Sequence, residues 1–99
     1  NFVHIVFNNG AHDSVGGQPT VGFNIDFREI ARALNYKFTS IAETEEEVYE
    51  AIDKLKLTNG PCLLEIRVSK GARKNLGRPD SSPIENKKNF MTFLLSNED

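Results

Sequence analysis

Three times along this chain a short β-rich run gives way to a segment that opens with a helix-capping pair. That alternation constrains the fold more than any other feature. A side chain that accepts from the first free amides of a helix, followed three residues later by Glu, satisfies backbone groups that the helix itself leaves unbonded. The pairs are Asp26 with Glu29, Thr44 with Glu47, and Ser82 with Glu85. Behind the first, Phe27, Ile30, Ala31 and Leu34 fall on one face and predict a helix over 26–34. Behind the second, Val48, Ala51, Ile52 and Leu55 form the buried stripe of another. Behind the third, Pro83 suits the first helical position, and Ile84, Phe90, Met91, Phe93, Leu94 and Leu95 predict a broadly apolar helix that must pack on something. Glu45, Glu46 and Glu47 lie in a first turn, where the helix dipole favours negative charge, so they require no ligand.

The strands are read from the runs between. Residues 2–7 are apolar on both faces except at His4, as in a buried strand of a parallel sheet. Residues 36–41 mix aromatic and β-branched side chains with polar ones. Over 62–68, Leu64, Ile66 and Val68 alternate with Glu65 and Arg67, as in a half-buried or edge strand. Strand then helix, three times over, predicts an α/β three-layer sandwich with parallel strands, flanking helices and right-handed crossovers.

Length and charge bound the rest. Ninety-nine residues make one small domain, and 12 basic against 14 acidic side chains give a net charge of −2, which excludes a global field for nucleic acid. Cys62 is the only cysteine and points to a reducing, cytoplasmic setting. No apolar stretch approaches the roughly 20 residues of a membrane helix. The chain opens at Asn1 almost directly on an apolar run, which suggests a fragment of a longer protein.

Two loops remain, residues 8–20 and 69–82, each leaving the carboxyl end of a predicted strand. Ligands gather at that edge of parallel sheets, so the two could converge on one site. In the first, Asn8-Asn9-Gly10 offers amide oxygens suited to a hard cation such as magnesium, and equally suits a tight turn. His12, Asp13 and Ser14 have the residue types of a nucleophilic triad, but adjacent residues cannot converge as a triad does, which excludes that hydrolase chemistry. His12 could still act alone as acid, base or anion ligand, or be an exposed loop histidine. In the second loop, Lys70, Arg73, Lys74 and Arg78 stand without an acidic neighbour through residue 79, as an anion site or a merely solvated basic loop would. Without aromatic residues for stacking, nucleic acid is the poorer partner.

The run Asn8-Asn9-Gly10-Ala11-His12-Asp13-Ser14-Val15-Gly16-Gly17-Gln18-Pro19-Thr20 resembles the cofactor loop of phosphonopyruvate decarboxylases, within the thiamine-diphosphate-dependent decarboxylases. Gly71-Ala72-Arg73, Leu76-Gly77-Arg78-Pro79 and Pro83-Ile84-Glu85-Asn86-Lys87 resemble the C-terminal stretch of the same enzymes, so the likeness covers nearly all of the chain. The sulfopyruvate decarboxylases share the Asn-Asn-Gly-Ala opening and less beyond it.

The resemblance implies the C-terminal part of a thiamine-diphosphate-binding domain, on the diphosphate side. In it Asn9 gives a side-chain oxygen and Ala11 a backbone carbonyl to Mg2+, and Gly10 lies against the cofactor. It implies that His12, Asp13 and Ser14 face the reacting centre and that Arg73 and Arg78 offset a substrate phosphonate. The Gly-Asp-Gly that opens the family's motif and the separate pyrimidine-binding domain are absent from these residues. The implied parent enzyme decarboxylates the 2-keto acid 3-phosphonopyruvate to phosphonoacetaldehyde in phosphonate biosynthesis, and shares its active site between two subunits. The piece alone is then inactive. A sulfopyruvate decarboxylase, another thiamine-diphosphate 2-keto acid enzyme of the acetolactate-synthase type, and a non-catalytic α/β binding or regulatory module are the alternatives.

Overall fold

The computed structural model describes residues 1–96; residues 97–99, assigned above to the same domain, lie outside the described residues. The elements in chain order are β1 (Val3–Asn8), β2 (Ala11–His12), β3 (Gln18–Pro19), α1 (Phe27–Ala33), β4 (Phe38–Ala42), α2 (Glu45–Leu57), β5 (Cys62–Arg67) and α3 (Pro83–Ser96). A single 3-10 turn, Asp13–Val15, separates β2 from β3.

β1, β4 and β5 form one parallel sheet in the order β1-β5-β4. The crossover through α1 therefore steps past the central place, and the one through α2 returns to fill it. Right-handed crossovers running in opposite directions put their helices on opposite faces. The side chains agree. On one face Cys62 and Leu64 of β5 and Ala42 of β4 pack against Ala51 and Leu55 of α2. On the other, Leu63 and His4 lie with Ile30 and Ala31 of α1 and the capping Leu34 around a small cavity. This is the three-layer α/β arrangement expected from the sequence.

All three cap side chains accept from the helix amides, and the boxes at α2 and α3 close reciprocally, whereas Glu29 turns to Arg32. Asp26 accepts from the amides of Arg28 (2.9 Å) and Glu29 (3.3 Å), and the Arg28 guanidinium grips both carboxylate oxygens. That grip lowers the Asp26 carboxyl to about 2. Thr44 and Glu47 close a reciprocal box at α2, where the Glu43 and Thr44 amides hold the Glu47 carboxyl below its usual range. Ser82 and Glu85 do the same at α3.

Burial departs from the sequence reading in three places. β1 is an outer strand, with Phe7 71% exposed, because no strand pairs with its free edge among the described residues. The run over 62–68, read as half-buried or edge, is instead the central strand: its polar positions face a helix-covered layer, and Glu65 is 1% exposed. α3 keeps its predicted start but buries none of its residues; the loop before it carries it clear of both faces of the sheet. No helix among the described residues is long and apolar enough to cross a membrane.

Candidate functional site

The end of β1 is fixed by one buried amide. The Asn8 side chain donates from Nδ2 to the carbonyl of Gly22 (2.7 Å) and to Glu65 Oε1 (2.7 Å), and its Oδ1 accepts from the amide of Gly10 (3.0 Å). One side chain thus ties the strand end, the turn and the returning limb of the loop to the central strand. Two glycines make room for this. At Gly22 a Cβ would stand 2.6 Å from Asn8 Oδ1, and at Gly10 it would stand 2.5 Å from the Phe23 ring. Gly10 also has φ +65°, the left-handed region that costs other residues strain.

The next residue makes a turn of its own. Asn9 Oδ1 accepts from the amide of Ala11 (3.0 Å), and Asn9 Nδ2 donates to Asp13 Oδ2 (2.8 Å). Ala11 stands opposite Pro19 in the small β2-β3 pair, and proline has no N–H to give its carbonyl. The amide oxygen of Asn9 and the carbonyl of Ala11 are hard oxygen donors two residues apart, of the kind that a small divalent cation takes, whereas Asp13 Oδ2 is engaged by Asn9 Nδ2. Among the described residues no group of three or more His, Cys, Asp or Glu makes an alternative metal site.

Of the other predicted residues, His12 lines an open cleft of about 350 Å³ together with Asn9 and Ala11, facing Val21, Ile25 and Phe27. Ser14 lies in the 3-10 turn outside that lining. A larger concavity, about 560 Å³, runs along α3 and is walled by that helix alone. The two loops do meet: Asp13 Oδ2, already accepting from Asn9, also accepts from the amide of Gly71 at 2.8 Å. That bond anchors the start of the basic loop beside the Asn9 turn. Arg73 and Arg78 lie farther along it, exposed, outside the cleft and without an ion pair among the described residues.

Sequence reasoning missed the support beneath the turn. Glu65, below Asn8, also receives Arg67 Nε at 3.4 Å, and Arg67 Nη1 reaches Glu43 at 2.9 Å. The Arg67 guanidinium lies 5.4 Å from the centre of the Phe23 ring, the same ring that packs on Gly10. Strict alternation marked Glu65 and Arg67 as a solvent face. The signal available was the asparagine at the end of the neighbouring strand, a natural partner for a buried carboxylate.

Comparison with known proteins bears on what this turn belongs to. The chain is 33% identical over 96 residues to a phosphonopyruvate decarboxylase of Streptomyces viridochromogenes, covering 97% of this chain and 24% of that protein. It is 32% identical over 93 residues to a phosphonopyruvate decarboxylase of Streptomyces hygroscopicus, covering 94% of this chain and 23% of that protein. The chain is a relative of the phosphonopyruvate decarboxylases. It spans about a quarter of the length of those two relatives. No protein-family model and no solved structure matches it. The similarity covers 96 of the 99 residues, so the Asn9 turn and its support lie inside the shared region.

Proposed function

We propose that this chain is the diphosphate-side, C-terminal part of a thiamine-diphosphate-binding domain, and that the longer protein carrying it decarboxylates 3-phosphonopyruvate to phosphonoacetaldehyde. The observation that carries the reading is the cation turn: Asn9 Oδ1 and the Ala11 carbonyl, held by Asn8 and Gly10, within a chain related over 97% of its length to a phosphonopyruvate decarboxylase. Asn9 and Ala11 would hold Mg2+, and through it the diphosphate of the cofactor. When bound, thiamine diphosphate supplies the carbanion and the electron sink for decarboxylation.

The chain's own residues supply position and charge. In the net reaction the keto acid loses its carboxylate as carbon dioxide, and its carbonyl carbon gains one proton. His12, on the cleft wall beside Asn9 and Ala11, is the group assigned to that proton's transfer. Asp13 holds the turn and the start of the basic loop together, and Ser14 follows it on the 3-10 turn. Arg73 and Arg78 are the cations available to offset a phosphonate once their loop folds over the cleft. The remaining ligands, and the second subunit that completes the site, are assigned to the longer protein. The lone, buried Cys62 is in keeping with a cytoplasmic setting.

The test is carbon dioxide release by the full-length protein with thiamine diphosphate and magnesium, offered phosphonopyruvate, sulfopyruvate and pyruvate separately. Preference for phosphonopyruvate is expected. Preference for sulfopyruvate would reassign the substrate and keep the cofactor reading. No release from any of the three, with the protein folded, would leave a non-catalytic α/β module in its place.

A further inference from the structure

Glu65 stands apart from every other acidic side chain described here. It is 1% exposed, on the central strand, directly beneath the turn that carries Asn9 and Ala11. A carboxylate in such a place loses its hydration and is retained only with strong partners. Its cation is shared: Arg67 Nε lies 3.4 Å from Glu65, while Arg67 Nη1 is closer to Glu43, at 2.9 Å. Its shortest bond is to a neutral amide, Asn8 Nδ2 at 2.7 Å. An apolar residue here would fill the layer without that cost, so the carboxylate is not explained by packing.

What it does is fix an orientation. Asn8 could turn its amide either way, and only one of the two serves the loop. With Nδ2 toward Glu65 and the Gly22 carbonyl, Oδ1 faces the Gly10 amide and starts the turn. With the amide reversed, an oxygen would face the Glu65 carboxylate and the Gly22 carbonyl, and an N–H would face the N–H of Gly10. Each of the three bonds would become a repulsion. An acceptor at position 65 therefore selects the orientation that leads into Asn9 and Ala11.

We propose that Glu65 is a positioning residue for the cation turn: by holding the Asn8 amide in one orientation, it sets the backbone that presents Asn9 Oδ1 and the Ala11 carbonyl. The proposal rests on the cofactor reading above and deepens it. The test uses the full-length protein without substrate and reads, by equilibrium dialysis, the magnesium needed for half-maximal binding of thiamine diphosphate. Glu65→Leu removes the acceptor and raises that requirement at least about tenfold, within the roughly 10- to 100-fold range of outer-shell changes. Glu65→Gln keeps an acceptor and stays within about threefold of the starting protein.

A donor–acceptor exchange covers the case in which Glu65→Leu does not fold. Asn8→Asp sets two carboxylates against each other and raises the requirement. Adding Glu65→Gln to it restores a donor–acceptor pair and recovers most of the loss. A folded Glu65→Leu with an unchanged requirement, or a double variant no better than Asn8→Asp, overturns the proposal. Asn9→Ala separates the two levels: a sharp rise there with none for Glu65→Leu sinks the positioning role alone. No rise for Asn9→Ala sinks the cofactor reading, and this proposal with it.

Discussion

The two loops at the carboxyl edge of the sheet leave adjacent strands and are built on opposite terms. The loop after β1 is tied at many points: Asn8 to Gly10, Gly22 and Glu65, Asn9 to Ala11 and Asp13, and Gly10 to Thr20 through the backbone at 2.8 Å. The loop after β5 carries more charge and fewer ties, and its one bond to the other loop is the Gly71 amide on Asp13. Oxygen donors fixed in advance can hold a cation with little reorganisation. A basic stretch with long, exposed side chains can adapt to an anion and then release it. On the function proposed above, the first loop would carry the fixed chemistry and the second the adjustable part.

The largest break in that contrast is Gly10→Ala. A left-handed φ and a Cβ driven into the Phe23 ring should together cost about 2–4 kcal/mol, from backbone strain and overpacking. Urea unfolding of the full-length protein checks this, with Gly71→Ala as the companion. Gly71 also has a positive φ, +94°, but nothing lies within 4 Å of its would-be Cβ. Gly71→Ala should therefore lose only the strain, about 1–2 kcal/mol. Equal losses at the two positions would remove the asymmetry.

A smaller effect sharpens the link between the loops. Asp13→Ala frees the Gly71 amide and should speed tryptic cleavage at Lys70, Arg73 and Lys74 about fivefold, the equivalent of about 1 kcal/mol for one exposed, charge-assisted bond. Cleavage at an unchanged rate would mean that the basic loop is held by something other than Asp13.

The smallest effect lies where each loop ends, at the start of α1 and of α3. Asp26 caps α1 with a carboxylate that the Arg28 guanidinium holds at about 2, against an ordinary 3.8. Because the folded value is the lower one, its stabilisation is complete above 3.8 and is lost as pH falls toward 2. Ser82 caps α3 with a hydroxyl that does not titrate, and only its partner Glu85, also held below its usual range, protonates in acid. The protection of the amides against exchange, relative to the intrinsic rate at each pH, should therefore fall more at Arg28 and Glu29 than at Glu85 between pH 5 and 2. The reverse order would show that the caps do not control where the two loops end.

Much of this architecture was legible because local rules and the fold agree. The three capping pairs gave the helix starts, and the apolar stripe of α2 gave its buried face, Ala51 and Leu55. The placement of both loops on one edge followed from parallel strands, and the Asp13–Gly71 bond bears it out. What alternation could not reveal is the order of strands in space. Crossing from β1 past the centre to β4 makes β5 the inner strand, and this alone turns Glu65 from a surface residue into a buried one. For α3, a capping box settles where a helix begins and says nothing of what lies beside it. In the site, Asn8-Asn9-Gly10 was legible as a tight turn with amide oxygens, but not the separate part that Asn8 takes in it. Its role depends on Glu65, 57 residues away.

What most needs testing is the proposal that the Asn9 turn, not the basic loop, holds the cofactor. The most direct measurement is equilibrium binding of thiamine diphosphate to the full-length protein across a magnesium titration, for the starting protein, Asn9→Ala and Arg73→Ala. The account predicts a requirement for Asn9→Ala raised beyond the roughly 10- to 100-fold typical of outer-shell changes, and one for Arg73→Ala within about threefold. An unchanged requirement for Asn9→Ala, or an equal rise for Arg73→Ala, would contradict it.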